Sequence, residues 1–156
     1  MRGMPDSQIL YREAIRRDAL QIVEFQLAMA LETEDYELNR YVCTRGIEAL
    51  FEDRSLGRYF VAEEHDQLLA SLMITYEWSD WRNGMVWWIQ SVYVVPDARG
   101  RGIYKGLYQF VQRLAAANET CKGIRLYVDR RNAIAQEVYR RLGMNGEHYQ
   151  VFEWMK

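Results

Sequence analysis

The stretch 92–107, Val92-Tyr93-Val94-Val95-Pro96-Asp97-Ala98-Arg99-Gly100-Arg101-Gly102-Ile103-Tyr104-Lys105-Gly106-Leu107, passes from an apolar β-patterned run through a proline and a glycine turn into a helix. Pro96 closes the strand, and Ile103, Leu107, Phe110 and Leu114 recur on one helical face. Upstream, Met85 to Val95 is apolar at both parities, which predicts a central strand covered on each side. Its exception is Gln90-Ser91. Neighbouring strand residues point to opposite faces, so one of this pair enters a buried or cleft environment and needs a hydrogen-bond partner. A ligand, a β-bulge and neighbouring backbone are all admissible partners. Asn83-Gly84 predicts a tight hairpin turn back to Leu68–Trp78, where Leu68, Ala70, Leu72, Ile74, Tyr76 and Trp78 alternate. That run pairs in turn with Tyr59–Ala62 around Glu64-His65-Asp66, giving an antiparallel meander.

Outside the meander, Gln8 to Ala14 reads as a strand, and Asp18 with Gln21 three residues on marks a helix start. Leu20, Val23, Leu27 and Leu31 form its expected core stripe, the polar Glu32–Asp35 breaks the pattern, and a second helix is expected over roughly Thr44–Glu52. On the other side, Cys121-Lys122-Gly123 ends the helix region and Ile124–Val128 is a strand. Asn132 then opens a helix with Ala135, Val138, Tyr139 and Leu142 inward and Gly143 as C-cap. Asn145-Gly146 turns into an expected last strand with Tyr149, Val151 and Phe152. No repeat or linker interrupts the 156 residues, so one domain over 1–156 is expected, with residues 1–6 a disordered start or a cloning remnant.

Composition narrows the function classes. With 49% apolar and 27% charged residues the chain supports an ordinary core and surface, not a disordered segment. A formal net charge of -2 disfavours a protein whose main affinity is for nucleic-acid phosphates. Cys43 and Cys121 lie far apart without metal-ligand spacing, so no metal is expected and a reducing cytoplasm fits. No run approaches the roughly 20 apolar residues of a membrane span, so no membrane partner is expected.

The glycine turn carries the chemistry. A helix N-terminus offers unpaired N–H donors and the positive end of the dipole, and glycines before it admit an anion close to the backbone. Arg99, Arg101 and Lys105 add cations, so a phosphate or pyrophosphate site is predicted; the alternative is a plain strand-to-helix turn with solvated arginines. Gly100, Gly102 and Gly106 miss the G-x-G-x-x-G dinucleotide spacing by one residue, and no window fits the Walker loop.

The stretch 92–107 resembles the acetyl-CoA-binding unit of the GNAT superfamily of N-acetyltransferases. Arg99 and Gly102 match the family pattern [QR]-x-x-G-x-[GA], with Tyr104 standing at its last position. Asn132-Ala133-Ile134-Ala135-Gln136-Glu137-Val138-Tyr139-Arg140-Arg141-Leu142-Gly143-Met144 is similar to the family's second motif, N-x-x-A-x-x-x-Y-x-x-x-G-[FM]. The resemblance implies an α/β (α+β) fold with a central, mostly antiparallel mixed sheet flanked by helices. It implies that the backbone of Val92, Tyr93 and Val94 pairs with the pantetheine arm and that the amides of Gly100, Arg101, Gly102, Ile103, Tyr104 and Lys105 hold the pyrophosphate. Asn132 would contact the cofactor, and Tyr139 would lie near the sulfur as general acid. A phenol with a pKa of about 10 is protonated at neutral pH and can serve so. Without the motif, Tyr139 reads as a core residue.

The implied reaction moves acetyl from acetyl-CoA directly to a primary amine. An amine of pKa about 10.4 must first lose a proton. Some relatives place a carboxylate mid-strand where this chain has Gln90, which can position a water but cannot act as a base. Glu77 is a candidate to reach the cleft, and Glu32, Glu34 and Asp35 hint at a cationic acceptor, each with a solvated-loop alternative. A homodimer is an admissible assembly. Two other readings remain: a non-catalytic acyl-CoA-binding sensor, motivated by Gln90, and a nucleotide-binding α/β protein.

Overall fold

The computed structural model describes residues 8–156, which divide into a large compact unit up to Arg125 and a small one from Leu126 to Lys156. The N-terminal stretch 1–6 lies outside, apart from the described residues. In the large unit β1, Leu10–Glu13, leads through a single 3-10 turn, Arg16–Asp18, into α1, Ala19–Glu34. Asp18 marks the helix start as the sequence predicts, standing at the N-cap of α1, but its side chain accepts no bond from that helix. Its carboxylate instead closes the 3-10 turn, accepting the Ile15 N–H at 2.8 Å and binding Arg12 at 2.7 Å.

The expected core stripe of α1 is covered only in its middle, where Val23 is buried and Leu27 packs against the core. Ala19, Ile22, Val23, Phe25 and Gln26 are buried, whereas Leu20 and Leu31 are 73% and 59% exposed. Both lines have helical spacing; burial goes to the one carrying Ile22 and Phe25, whose ring meets Tyr93 at 5.2 Å. Polarity does not end this helix at Glu32 either. The helix runs on to Glu34 and stops where Asp35 turns left-handed (φ 49), with the Tyr36 N–H bonded to Ala30 O at 3.2 Å. Glu32 and Glu34 therefore belong to its last turn. α2, Arg40–Glu52, begins before Thr44 because Asn39 accepts the Val42 N–H at 3.0 Å.

β2, Arg58–Glu64, and β3, Gln67–Ser79, are joined by His65 and Asp66, both left-handed (φ 50 and 60), which suits a two-residue hairpin. β4 is Gly84–Val94. Here the expected Asn83-Gly84 two-residue turn is not formed: Ser79 pairs with Gly84, and Asp80 to Asn83 make the loop. Asn83 alone supplies the left-handed step (φ 47). Gly84 is needed for a different reason, since a Cβ there would lie 2.6 Å from the Thr120 carbonyl and the Lys122 side chain.

α3, Ile103–Ala117, precedes β5, Cys121–Leu126, so Cys121-Lys122-Gly123 belong to the strand and not to the end of the helix. The sheet order is β1-β2-β3-β4-β5. The first three pairings are antiparallel. The Met85 N–H reaches Thr120 O at 2.8 Å, so β4 and β5 start side by side and run the same way, which makes the sheet mixed. On one face Ile22, Val23 and Ile47 pack on Tyr59 and Val61. The opposite face carries Phe60, Leu72 and Ile74, all at 0% exposure, and α3 contributes Leu107 and Val111, with Phe60 and Phe110 rings 6.0 Å apart. Each such buried side chain contributes roughly 1.5–3 kcal/mol.

The small unit holds α4, Ala133–Arg141, capped by Asn132 accepting the Ala135 N–H at 2.9 Å. Gly143 is left-handed (φ 84), as a C-cap requires. The expected last strand is not formed: Tyr149 and Phe152 are 81% and 89% exposed in irregular chain. A strand needs a ladder, and within this unit α4 is the only regular helix or strand lying wholly inside it among the described residues.

Candidate active site

The β3–β4 register shifts in the middle: Met73 faces Gln90, but Ser71 faces Tyr93, so β4 carries one extra residue. Ser91 absorbs it in the left-handed region (φ 52), a β-bulge. Beyond it, Tyr93 and Val94 pair with Ser71 and Ala70 of β3. β5 has six residues and starts level with the start of β4, so it reaches only about as far as the bulge. The backbone of Val92, Tyr93 and Val94 thus extends past the end of β5, where an added extended chain can pair with it.

After β4, a 3-10 turn at Pro96–Ala98 leads to Arg99 and to Gly100 and Gly102, both left-handed (φ 78 and 74). A Cβ on either would meet nothing within 4 Å, so these glycines serve the backbone angle and the space before them is open. The first helical donor of α3 is the Gly106 N–H, bonded to Gly102 O at 3.0 Å. The amides of Ile103, Tyr104 and Lys105 precede it and have no carbonyl within the helix to serve. Ile103 anchors this end at 2% exposure, while Lys105 is exposed.

The two arginines are not loose cations. Arg99 donates from Nε to Val94 O at 3.0 Å and from Nη2 to Glu32 at 2.7 Å, with its guanidinium 5.6 Å from the Tyr93 ring centre. Arg101 donates to Glu64 at 2.8 and 3.2 Å. Arg99 first, and then the Tyr93 hydroxyl at 3.2 Å, hold the Glu32 carboxyl below its usual range. The positive field of the turn therefore comes chiefly from helix amides and Lys105. Left-handed glycines, open space and leading amides are a donor set that fits a diphosphate.

Alternation and register place Thr75 and Glu77 of β3 and Trp88 and Gln90 of β4 on one sheet face. Gln90 donates to the Thr75 hydroxyl, so its partner is a side chain, and the bulge falls on Ser91. Glu77 accepts from the Trp88 indole at 2.8 Å and from Arg125 at 3.0 Å. The indole first, then Arg125, hold its carboxyl below the usual range, which makes it a weaker base than a free glutamate. Glu34 is exposed on the last turn of α1. In the small unit Asn132 spends its carbonyl oxygen on the helix cap, and Tyr139 is a half-buried residue of α4. Thr75, Arg125 and Glu64 escape a reading of the sequence, because nothing in their local pattern says which strand lies beside them.

A model of the acetyltransferase (GNAT) family matches residues 21–144. The chain belongs to this acetyltransferase family. A crystal structure described as a possible acetyltransferase from Clostridium difficile 630 is 40% identical, with a TM-score of 0.89, covering 95% of this chain and 97% of that one. A predicted acetyltransferase from Clostridium acetobutylicum, solved with acetyl-CoA, shares the fold at 22% identity and a TM-score of 0.73, covering 94% and 96%. A transcriptional regulator from Bacillus halodurans C-125 shares it at 20% identity and a TM-score of 0.81, covering 95% and 100%. No curated protein matches significantly. Among the described residues, no helix is long and apolar enough to cross a membrane, and no group of three or more His, Cys, Asp or Glu is placed to hold a metal.

Proposed function

We propose that this member of the acetyltransferase family is an N-acetyltransferase, in which residues 1–156 work as one domain that moves acetyl from acetyl-CoA to a primary amine. The observation that carries this is the pairing of the open glycine turn at the start of α3 with a β4 backbone extending past β5. When bound, acetyl-CoA supplies the acetyl group as an activated thioester. The amides of residues 100–105 would hold its diphosphate, and Val92–Val94 would align its pantetheine arm. Alignment of amine and thioester provides much of the rate.

The chain's own proton carriers divide by type. Tyr139, at the tyrosine position of the second motif, gives a proton to the departing thiolate. Gln90, already donating to Thr75, has its amide oxygen available to orient a water on the amine. Glu77 is a relay of low basicity, and Glu32 and Glu34 bias the end of α1 toward a cationic acceptor in a cytoplasmic setting. A second reading, the acyl-CoA sensor, is favoured by the same row: Gln90 is neutral and Glu77 is tied to Arg125. Release of thiol from acetyl-CoA across a panel of polyamines, small amines and peptide N-termini separates the two. Amine-dependent release supports the transferase; CoA binding without any such release supports the sensor.

A further inference from the structure

Glu32 sits in the last turn of α1, just before the left-handed stop at Asp35 and the connection 35–39 to α2. It is 67 residues from Arg99 in sequence, yet its two oxygens take Arg99 Nη2 at 2.7 Å and the Tyr93 hydroxyl at 3.2 Å. Arg99 is fixed from a second side by Val94 O at 3.0 Å, so one guanidinium links the end of α1 to the strand and turn that the proposed cofactor uses. The same segment of α1 is seated on β4 by the Phe25–Tyr93 ring contact at 5.2 Å.

We infer that Glu32 is a positioning residue that couples the cofactor turn to the α1–α2 connection, so that filling the turn stiffens residues 33–39. This rests on the acetyl-CoA reading of the turn. The physical ground is lost freedom. The side chains of Arg99 and Glu32 are 49% and 39% exposed, and a pair so wet gains little from its charges. A phosphate-bearing ligand that takes a further Arg99 N–H fixes the guanidinium from another side, so Glu32 meets a donor already held in place and less lost motion opposes the contact. Arg99 has five N–H donors and spends two on Val94 and Glu32, so it can serve a ligand without releasing either. The α1–α2 connection is then held by a contact that exists at full strength only in the cofactor-bound protein, and the acceptor meets a formed wall after the cofactor has arrived.

The test uses the full chain with CoA as the probe, followed by calorimetry and by amide hydrogen exchange. In the wild type, saturating CoA should slow exchange across 33–39 by threefold or more. Glu32→Gln should still bind CoA but lose at least half of that slowing, and it should lose nothing further when placed in an Arg99→Gln background. Equal slowing in wild type and Glu32→Gln, or CoA binding with no slowing at 33–39 in the wild type, overturns the coupling. Absence of CoA binding by the wild type is a different result: it removes the cofactor reading itself, and the inference with it.

Discussion

Replacing Gly102 by alanine puts the cofactor turn under a test whose two effects have different origins. Gly102 is left-handed (φ 74), an angle that costs an alanine about 1–2 kcal/mol. A Cβ there would touch nothing within 4 Å, so no packing penalty adds to it. For a chain of this size that corresponds to a fall in Tm of roughly 2–8 °C. The methyl group would project into the open space before the leading amides of α3. Weakening one or two charge-assisted amide bonds to a diphosphate loses roughly 1.5–3 kcal/mol, or about tenfold to hundredfold in Kd for CoA.

Stability and binding can be uncoupled by a second change. Gly46 lies inside α2, has no left-handed angle, and has nothing within 4 Å of where its Cβ would be. Gly46→Ala should therefore add up to about 1 kcal/mol through helix propensity. The double variant Gly46→Ala/Gly102→Ala should melt closer to the wild type than Gly102→Ala does, and still bind CoA at least tenfold more weakly by calorimetry. If the folded double variant binds CoA within twofold of wild type, the amides of this turn do not hold the diphosphate.

Three further outcomes are expected. Tyr139→Phe should lower kcat by roughly tenfold to hundredfold in a thiol-release assay while the Kd for CoA is unchanged; unchanged kcat removes Tyr139 as the acid. Asp18→Asn should cost about 2 kcal/mol, measured by urea unfolding, since it weakens the contacts to Arg12 at 2.7 Å and to the Ile15 N–H at 2.8 Å. Burial pushes the Asp18 carboxyl up, but Arg12 and Ile15 together pull it below its usual value. Its contribution is thus full above the unfolded pKa near 4 and is lost as pH falls through the lower folded value, so wild type should lose its advantage over Asp18→Asn in that window and not at neutral pH. Ser71→Ala should be neutral or stabilising by about 0.5 kcal/mol in thermal melts, because the Ser71 hydroxyl is fully buried without a hydrogen-bond partner among the described residues.

The legible parts of this chain are those written in local chemistry. Pro96 and the glycines at 100 and 102 announce the strand-to-helix turn, and the period-2 run at Leu68–Ile74 announces β3, because angle preference and alternation act within a few residues. The illegible parts are set by neighbours. Leu20 and Leu31 have the same spacing as the buried line of α1, and only the sheet decides which line is covered. Asn83-Gly84 has the chemistry of a two-residue turn, but Gly84 is conscripted by the close approach of Thr120 and Lys122, some 36 residues later in the chain. Glu77 reads as a free carboxylate until Trp88 and Arg125 are brought against it.

The bulge at Ser91 shows how a single residue joins these levels. Met73 and Ser71 lie two apart on β3 and point to the same face, the one packed under α1 and α2. Their partners on β4, Gln90 and Tyr93, are three apart, so in a regular strand without a bulge Tyr93 would point to the opposite face from Gln90. The left-handed step at Ser91 (φ 52) restores the parity. Only then does the Tyr93 ring meet Phe25, its hydroxyl reach Glu32, and Arg99 stack above it. Deleting Ser91 leaves Gln90 and Tyr93 two apart, so Tyr93 keeps its face and its contacts to Phe25, Glu32 and Arg99 while the β4 backbone loses its bulge; the deletion should therefore weaken CoA binding at least tenfold in protein that still folds. A Ser91 deletion that folds and binds CoA with wild-type affinity would show that the bulge shapes the strand but not the site.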